Sequence, residues 1–183
     1  MCFNALFYGL LTWMPTYLSK QYGFDIKQMG GAVFIMFFSG FVGELVGGWV
    51  ADKWMEHGGK QSTVLRSIFG FSSIIATIAM YSVTKFTDPT TVVILLSVTL
   101  FFLRWCGLFW CVPSILAVRS RIGFLGGFMN LGGNCAGIGV PIAVGLIVQA
   151  TGSYYMAMML FAGAGVGLFI CSTMLISYKK LPV

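Results

Sequence analysis

Charged residues are scarce in this sequence. Only 9% of its 183 residues are Asp, Glu, Lys or Arg, while 58% are hydrophobic. Soluble domains carry about 25% charged and about 45–50% apolar residues, so a soluble protein is excluded and an integral membrane protein is indicated. The single histidine, His57, lies in a charged loop beside two glycines. We interpret it as a solvated loop residue rather than a metal ligand.

Motifs for metal, disulfide and enzyme chemistry are also missing. The five cysteines lie within apolar runs and form no C-x-x-C pair, so we interpret them as small buried hydrophobic residues. No P-loop, Rossmann fingerprint or nucleophile–base pair is present. We therefore predict no enzyme, no cofactor and no metal site. The net charge of +6 is spread between apolar runs rather than gathered on one patch, which argues against nucleic acid as a partner.

What the sequence does contain is a series of long apolar runs. A transmembrane helix takes about 20 such residues, and six runs approach or exceed that length, the first being rather short. The opening run lacks a basic region and a small-residue cleavage site, so no cleavable signal peptide is indicated. The loops are too short for a separate soluble domain. We predict an all-α membrane protein with spans at about residues 2–18, 28–50, 63–84, 91–118, 123–149 and 154–178.

The basic residues between these spans are distributed unequally. Seven lie on the side of both termini and three on the opposite side. The positive-inside rule then predicts that both termini are cytoplasmic. The seven are Lys53, Lys60, Arg66, Arg119, Arg121, Lys179 and Lys180, and the three are Lys20, Lys27 and Lys85.

The fifth span carries a polar, glycine-rich stripe. Asn130, Asn134, Gly137 and Pro141 follow one another at i, i+4, i+7 and i+11, so they share one face of a helix. A polar and bendable face on a membrane helix should contact protein or a water-filled cavity rather than lipid. We therefore predict that this helix lines a transport pathway.

The first span has a comparable polar face. Asn4, Tyr8, Thr12 and Pro15 are spaced i, i+4, i+8 and i+11. Polar side chains in membranes also serve as contacts between helices. Helix contact and cavity lining therefore remain equal alternatives for this face.

Two charged residues lie well inside spans. Such charges usually face a cavity or pair with each other. At 1.5 Å per residue, Glu44 lies about 12 Å and Arg104 about 22 Å from the cytoplasmic ends of their spans, so a direct salt bridge is possible but strained. For Arg104, a structural ion pair or attraction of an anion is favoured over extension to the outer surface. For Glu44, a structural or gating role is favoured over proton coupling. Three glycines beside Glu44 predict a close-packing helix face: Gly40, Gly43 and Gly47.

The loop after the second span carries a short motif. The run GGWVADK, from Gly47 to Lys53, resembles the cytoplasmic G-x-x-x-D-[RK] motif of the major facilitator superfamily. Its place between the second and third spans fits either half of that twelve-helix fold. The resemblance implies that Asp52, with Lys53, clamps neighbouring helix ends and gates the transporter.

Longer runs resemble one branch of that superfamily, the anion:cation symporters and their bacterial sugar-acid permeases. These runs are FNALFYGLLTWMPTYL, RWCGLFWCVPS and GGFMNLGGNCAGIGVPIAVGLI, which are similar to helices seven, ten and eleven of that family. The resemblance implies that Asn130 and Trp110 contact the substrate, and that Tyr8 and Asn4 line the same cavity. Two departures from the family, Arg104 in place of glycine and the run Gly107–Phe109 in place of small hydroxyl residues, alter the polarity near the site. They imply a different organic anion as substrate, aromatic or less hydroxylated.

The resemblance implies one half of a transporter. The leading hypothesis is the C-terminal six-helix bundle of a proton-coupled symporter for a small organic anion, such as a sugar acid, in the inner membrane of a bacterium. The N-terminal half would then be the expected partner. The alternative is an autonomous six-helix membrane protein that dimerises into a transporter or pore. A membrane scaffold without transport activity is a third, less favoured hypothesis.

Overall fold

The computed structural model describes residues 1–175, and over that range the chain forms helices and turns without strands. The prediction of an all-α membrane bundle is confirmed. The end of the predicted sixth span, up to residue 178, lies outside the described residues, as do Lys179 and Lys180. The α-helices are α1 (Cys2–Tyr22), α2 (Ile26–Glu56), α3 (Gln61–Val83), α4 (Pro89–Trp105), α5 (Val112–Leu116), α6 (Ile122–Thr151) and α7 (Tyr155–Ile170).

Five segments are long and apolar enough to cross a membrane. They are Ile26–Glu56, Gln61–Val83, Pro89–Leu116, Arg119–Thr151 and Tyr155–Met174. Helix α1 is not among them. Its 21 residues could reach about 30 Å, but polar residues such as Asn4 and Thr12 dilute its apolar character. It packs against α6 and α7 as the sixth long helix of the bundle.

The helix ends in the loops are defined by local chemistry. Asp25 begins α2 with a capping box, because its carboxylate accepts from the Gln28 backbone N–H at 2.7 Å and the Gln28 side chain accepts from the Asp25 N–H at 3.1 Å. Gly23 and Gly152 end α1 and α6 with positive φ values of 68° and 65°, which glycine adopts without a steric penalty.

The helices pack in a chain of neighbours around an apolar core. Helix α4 packs most extensively on α2 and next on α3; α3 packs on α7, and α7 on α1, which covers α6. Large side chains fill the centre with almost no exposure, among them Leu6, Met36, Phe69, Leu100 and Phe161. Because each helix keeps an apolar outer face, the bundle as a whole suits a lipid environment.

The predicted glycine face of α2 is confirmed as a close-packing surface. Gly40, Gly43 and Gly47 are buried against α4. A Cβ added at Gly43 would lie 2.8 Å from the carbonyl carbon and 2.9 Å from the Cα of Phe101. Only glycine therefore lets the two backbones approach this closely.

The fourth span, predicted at about residues 91–118, corresponds to the segment Pro89–Leu116, but that segment is not one regular helix. Helix α4 ends at Trp105, a 3₁₀ segment covers Cys106–Cys111, and α5 runs only from Val112 to Leu116. Pro113 supplies the reason, because proline removes a backbone N–H and its ring collides with the carbonyl four residues earlier, here that of Phe109. The break displaces Trp110 from the line of α4.

Candidate functional site

A cavity of about 240 Å³ lies where α1, α6 and α7 meet the 3₁₀ segment after α4. Asn4 and Trp110, two of the predicted substrate-binding residues, both line it. The side chain of Trp110 is 52% exposed, so it offers a large aromatic surface to the cavity. The remaining lining is mostly apolar and sulfur-rich: Met1, Cys2, Phe3, Phe109, Met129, Gly133, Leu168 and Cys171.

Glycines of α6 determine how α1 approaches this cavity. Gly133 is buried against the amide of Asn4, and a Cβ at Gly137 would lie 2.8 Å from the ring of Tyr8. Tyr8 therefore packs into a notch on α6 instead of lining the cavity with Asn4. The two alternatives for the polar face of α1 are both realised, since Asn4 lines a cavity and Tyr8 makes a helix contact.

The predicted stripe of α6 is divided in the structure. Asn130 and Asn134 are exposed, and the Asn134 side-chain amide donates to the Asn130 side-chain oxygen at 3.2 Å. Gly137 faces α1, and the carbonyl of Pro141 accepts a hydrogen bond from the Trp13 indole at 3.2 Å. The helical period places these four residues within a narrow sector, but α1 covers only one edge of that sector. The asparagines are therefore left on the open side.

Arg104 and Glu44 form an ion pair between α4 and α2. Their side chains are 27% and 43% exposed, respectively. Of the alternatives left open for Arg104, the structural ion pair is therefore present. Gly40 packs on the Cγ of Arg104, and Gly107 allows the Glu44 carboxylate to approach the break after α4. Both charged side chains are held by glycines on the facing helix.

The helix boundaries differ from the predicted ones, and this difference explains why the two charges lie closer in depth than expected. Helix α2 continues to Glu56, twelve residues beyond Glu44, and the helical part of the fourth span ends at Leu116, twelve residues beyond Arg104. Counted from these ends, most of the offset of about 10 Å expected from straight helices is removed.

An aromatic recess of about 140 Å³ adjoins the ion pair. The guanidinium carbon of Arg104 lies 5.1 Å from the centroid of the Phe7 ring, a cation–π distance. Phe37 meets Phe7 edge-on, with ring centroids 6.2 Å apart. Sequence reasoning missed these phenylalanines, although Phe7 follows Asn4 by three residues and so lies near the polar face of α1.

The residues of the cytoplasmic motif lie at the exposed end of α2. Lys53 pairs with Glu56 in the same turn, at 2.7 Å between the Nζ and the Oε2. The side chain of Asp52 is exposed and makes no hydrogen bond or ion pair with another residue of the described range 1–175. The clamp expected from the resemblance is therefore not formed within this part of the chain.

No protein-family model matches the chain, but curated proteins do. It is 33% identical over 176 residues to a probable galactarate/D-glucarate transporter of Bacillus subtilis, covering 96% of this chain and 38% of that protein. It is 30% identical to a probable sulfoacetate transporter of Cupriavidus necator, covering 96% of this chain and 41% of that protein. A D-galactonate transporter of Escherichia coli is 31% identical over 142 residues.

The chain is similar in sequence to bacterial transporters of sugar acids and of sulfoacetate. The resemblance found in its motifs is confirmed, and its relatives are named as transporters rather than enzymes. The chain spans about 40% of the length of the first two relatives. Together with its apolar helices, this similarity indicates a multi-pass membrane protein.

Proposed function

We propose that the chain is the C-terminal six-helix half of a secondary active transporter that moves a small organic anion across a bacterial inner membrane. The observation that carries the proposal is the cavity in which Asn4 and Trp110 meet, within a bundle related to sugar-acid transporters along 96% of its length. Transporters of this architecture bind substrate between two repeats near the midplane. The N-terminal half would close the open side of the cavity.

The polar residues receive distinct roles in this proposal. Asn4 donates or accepts hydrogen bonds with substrate hydroxyls, and Trp110 packs against the carbon skeleton. Asn130 and Asn134, exposed on α6, contact substrate once the second half covers them. Arg104, whose charge Glu44 balances in the absence of substrate, offers its remaining guanidinium donors to an anion.

Other residues of the proposal serve gating. Gly137 and Pro141 allow α6 to bend against α1, because glycine packs closely and proline interrupts the hydrogen-bond ladder. Asp52 and Lys53, at the cytoplasmic end of α2, would clamp helix ends of the other half. Both termini of this half are then cytoplasmic.

The proposed coupling ion is the proton. The resemblance places the residues expected to carry protons mainly in the other half. Glu44 keeps a structural role here because Arg104 already neutralises it.

A chimera tests the proposed function. This chain replaces the matching segment of the Bacillus subtilis galactarate/D-glucarate transporter, and uptake of labelled sugar acids is measured in cells with and without a protonophore. We expect protonophore-sensitive uptake, and we expect Asn130→Ala to abolish it while membrane insertion persists. Gly139→Ala is the matched control, since a Cβ there meets no atom within 4 Å.

Two outcomes would contradict the proposal. A chimera that inserts but takes up none of the tested organic anions would remove the transport assignment. Undiminished uptake by the Asn130→Ala chimera would remove Asn130 from the site. The exposed asparagine pair also favours the alternative of self-association, so disulfide crosslinking of an Asn130→Cys chain in membranes distinguishes a dimer from a lone half.

A further inference from the structure

We infer that the recess beside Arg104 is a carboxylate site for an organic anion with an aromatic or apolar body. Glu44 pairs with Arg104 when no ligand is bound. This inference goes beyond the proposed function, because it adds a second anion site to the bundle. It concerns a different place from the cavity of Asn4 and Trp110, since none of the described residues lines both. The recess is lined by Phe7, Phe37, Gly40, Phe41, Glu44, Leu100 and Arg104.

The first argument is the hydrogen-bonding capacity of Arg104. A guanidinium carries five N–H donors, and within residues 1–175 Glu44 is its hydrogen-bonding partner. Except for Glu44, the side chains lining the recess are hydrocarbon and offer no further acceptor. The arginine therefore retains donors for a second carboxylate, which binds guanidinium in a fork geometry.

The second argument is the shape and chemistry of the recess. A cavity needs about 10–15 Å³ to hold a single water molecule. The recess has a volume of about 140 Å³, so it accommodates a ligand group of several atoms. Phe7, Phe37 and Phe41 supply aromatic walls. A polyhydroxylated sugar chain would lose hydrogen bonds to water against such walls, whereas an aryl group would pack on them.

The third argument is the position of Glu44. Its side chain is 43% exposed and belongs to the same recess lining. An isolated arginine at this depth would be costly in a membrane. The resident carboxylate therefore neutralises Arg104 when the recess is empty, and an incoming carboxylate competes with it for the same donors.

Competition predicts effects of opposite sign for the two partners. Removing the charge of Glu44 frees the arginine, so Glu44→Gln should tighten binding of an aryl carboxylate by about tenfold or more. Arg104→Gln should weaken that binding by at least about tenfold, since it removes the charge-assisted donors. A pair with a purely structural role would lower thermal stability in both variants and leave affinity for the anion unchanged.

The experiment uses the 183-residue chain in lipid nanodiscs, because every residue of the recess belongs to it. Calorimetric titration compares benzoate, its neutral analogue benzamide, and gluconate, and thermal unfolding is followed for each variant. Lys85→Gln is the matched control, since the Lys85 Nζ lies 5.3 Å from the Tyr81 ring centroid but outside the recess. We expect benzoate to bind, benzamide to fail, and the control to match the wild type.

The outcomes separate this inference from the proposed function. Equal binding of benzoate and benzamide, or unchanged benzoate affinity in Arg104→Gln, would overturn the carboxylate site. Binding of gluconate without benzoate would also overturn it, but would leave the transport proposal standing. If neither anion binds here and the chimera also takes up no anion, both proposals fail.

Discussion

Two helix interfaces in this bundle are both built on glycine, yet they pack differently. Between α2 and α4, Gly43 faces the backbone of Phe101. Between α1 and α6, Gly133 and Gly137 face the side chains of Asn4 and Tyr8. Contact between backbones closes the first interface, whereas side chains inserted into notches leave room at the second, where the cavity lies. The same residue type therefore allows tight packing at one interface and leaves a mostly apolar cavity at the other.

The largest expected effect on stability is at the α2–α4 interface, where the two backbones are in contact. In Gly43→Ala, the new methyl group would collide with the backbone of Phe101, which cannot rotate away. The helices must separate, at a cost of about 1–3 kcal/mol or more. Thermal unfolding of the chain in detergent measures the loss.

The neighbouring Gly48 provides the control for this prediction. An added Cβ there meets no atom within 4 Å. Gly48→Ala should therefore be neutral or stabilise the helix by up to about 1 kcal/mol. Equal destabilisation by both variants would show that loss of glycine itself, rather than the close approach, is responsible.

A smaller effect on stability is expected at the α1–α6 interface, where side chains rather than backbones are in contact. In Gly137→Ala, the methyl group would meet the edge of the Tyr8 ring at 2.8 Å, and a ring can shift where a backbone cannot. We expect a change within about 1 kcal/mol in the free energy of unfolding. Measured by the same unfolding assay, a loss as large as that of Gly43→Ala would abolish the distinction between the two interfaces.

The smallest effect on stability is expected at the N-terminus of α4, away from both interfaces. Hydrogen bonds from the Thr91 hydroxyl and N–H hold the pKa of Asp88 below its ordinary value of 3.8. The ionised cap therefore stabilises the fold fully above pH 3.8 and loses its effect as the pH falls through the lower, folded-state pKa.

Unfolding of Asp88→Asn at several pH values checks this. The variant should unfold slightly more easily than the wild type at neutral pH, and the difference should shrink only in strong acid. A difference that disappears already near neutral pH would show that another group is responsible.

The glycines of α2 and the asparagines of α6 show which helix faces could be predicted from the sequence. Periodicity and glycine spacing predicted the α2 face of Gly40, Gly43 and Gly47, because a membrane helix that packs tightly must present its small residues together. The same reasoning placed Asn130 and Asn134 beside Gly137. It could not predict which edge of that sector α1 would cover, because helical periodicity contains no information about neighbouring helices.

The depth argument shows a second limit. Counting residues along straight helices separated Glu44 from Arg104 by about 10 Å, whereas the structure pairs them. Boundaries caused the error: α2 continues to Glu56, and the fourth span is broken before Pro113. Helix termini depend on loop packing and on local breaks, which hydropathy resolves poorly.

By itself, the sequence determined that this chain is a helical membrane bundle, which side chains are charged or polar inside it, and which glycines allow close contact. These follow from composition and period, since lipid tolerates only helices with small or paired polar residues between them. Only the tertiary structure decided that the cavity of Asn4 and Trp110 is not lined by Tyr8 or Asn130, and that Arg104 adjoins an aromatic recess. Those neighbours come from separate helices, and their distances depend on how the helices pack and where each one breaks.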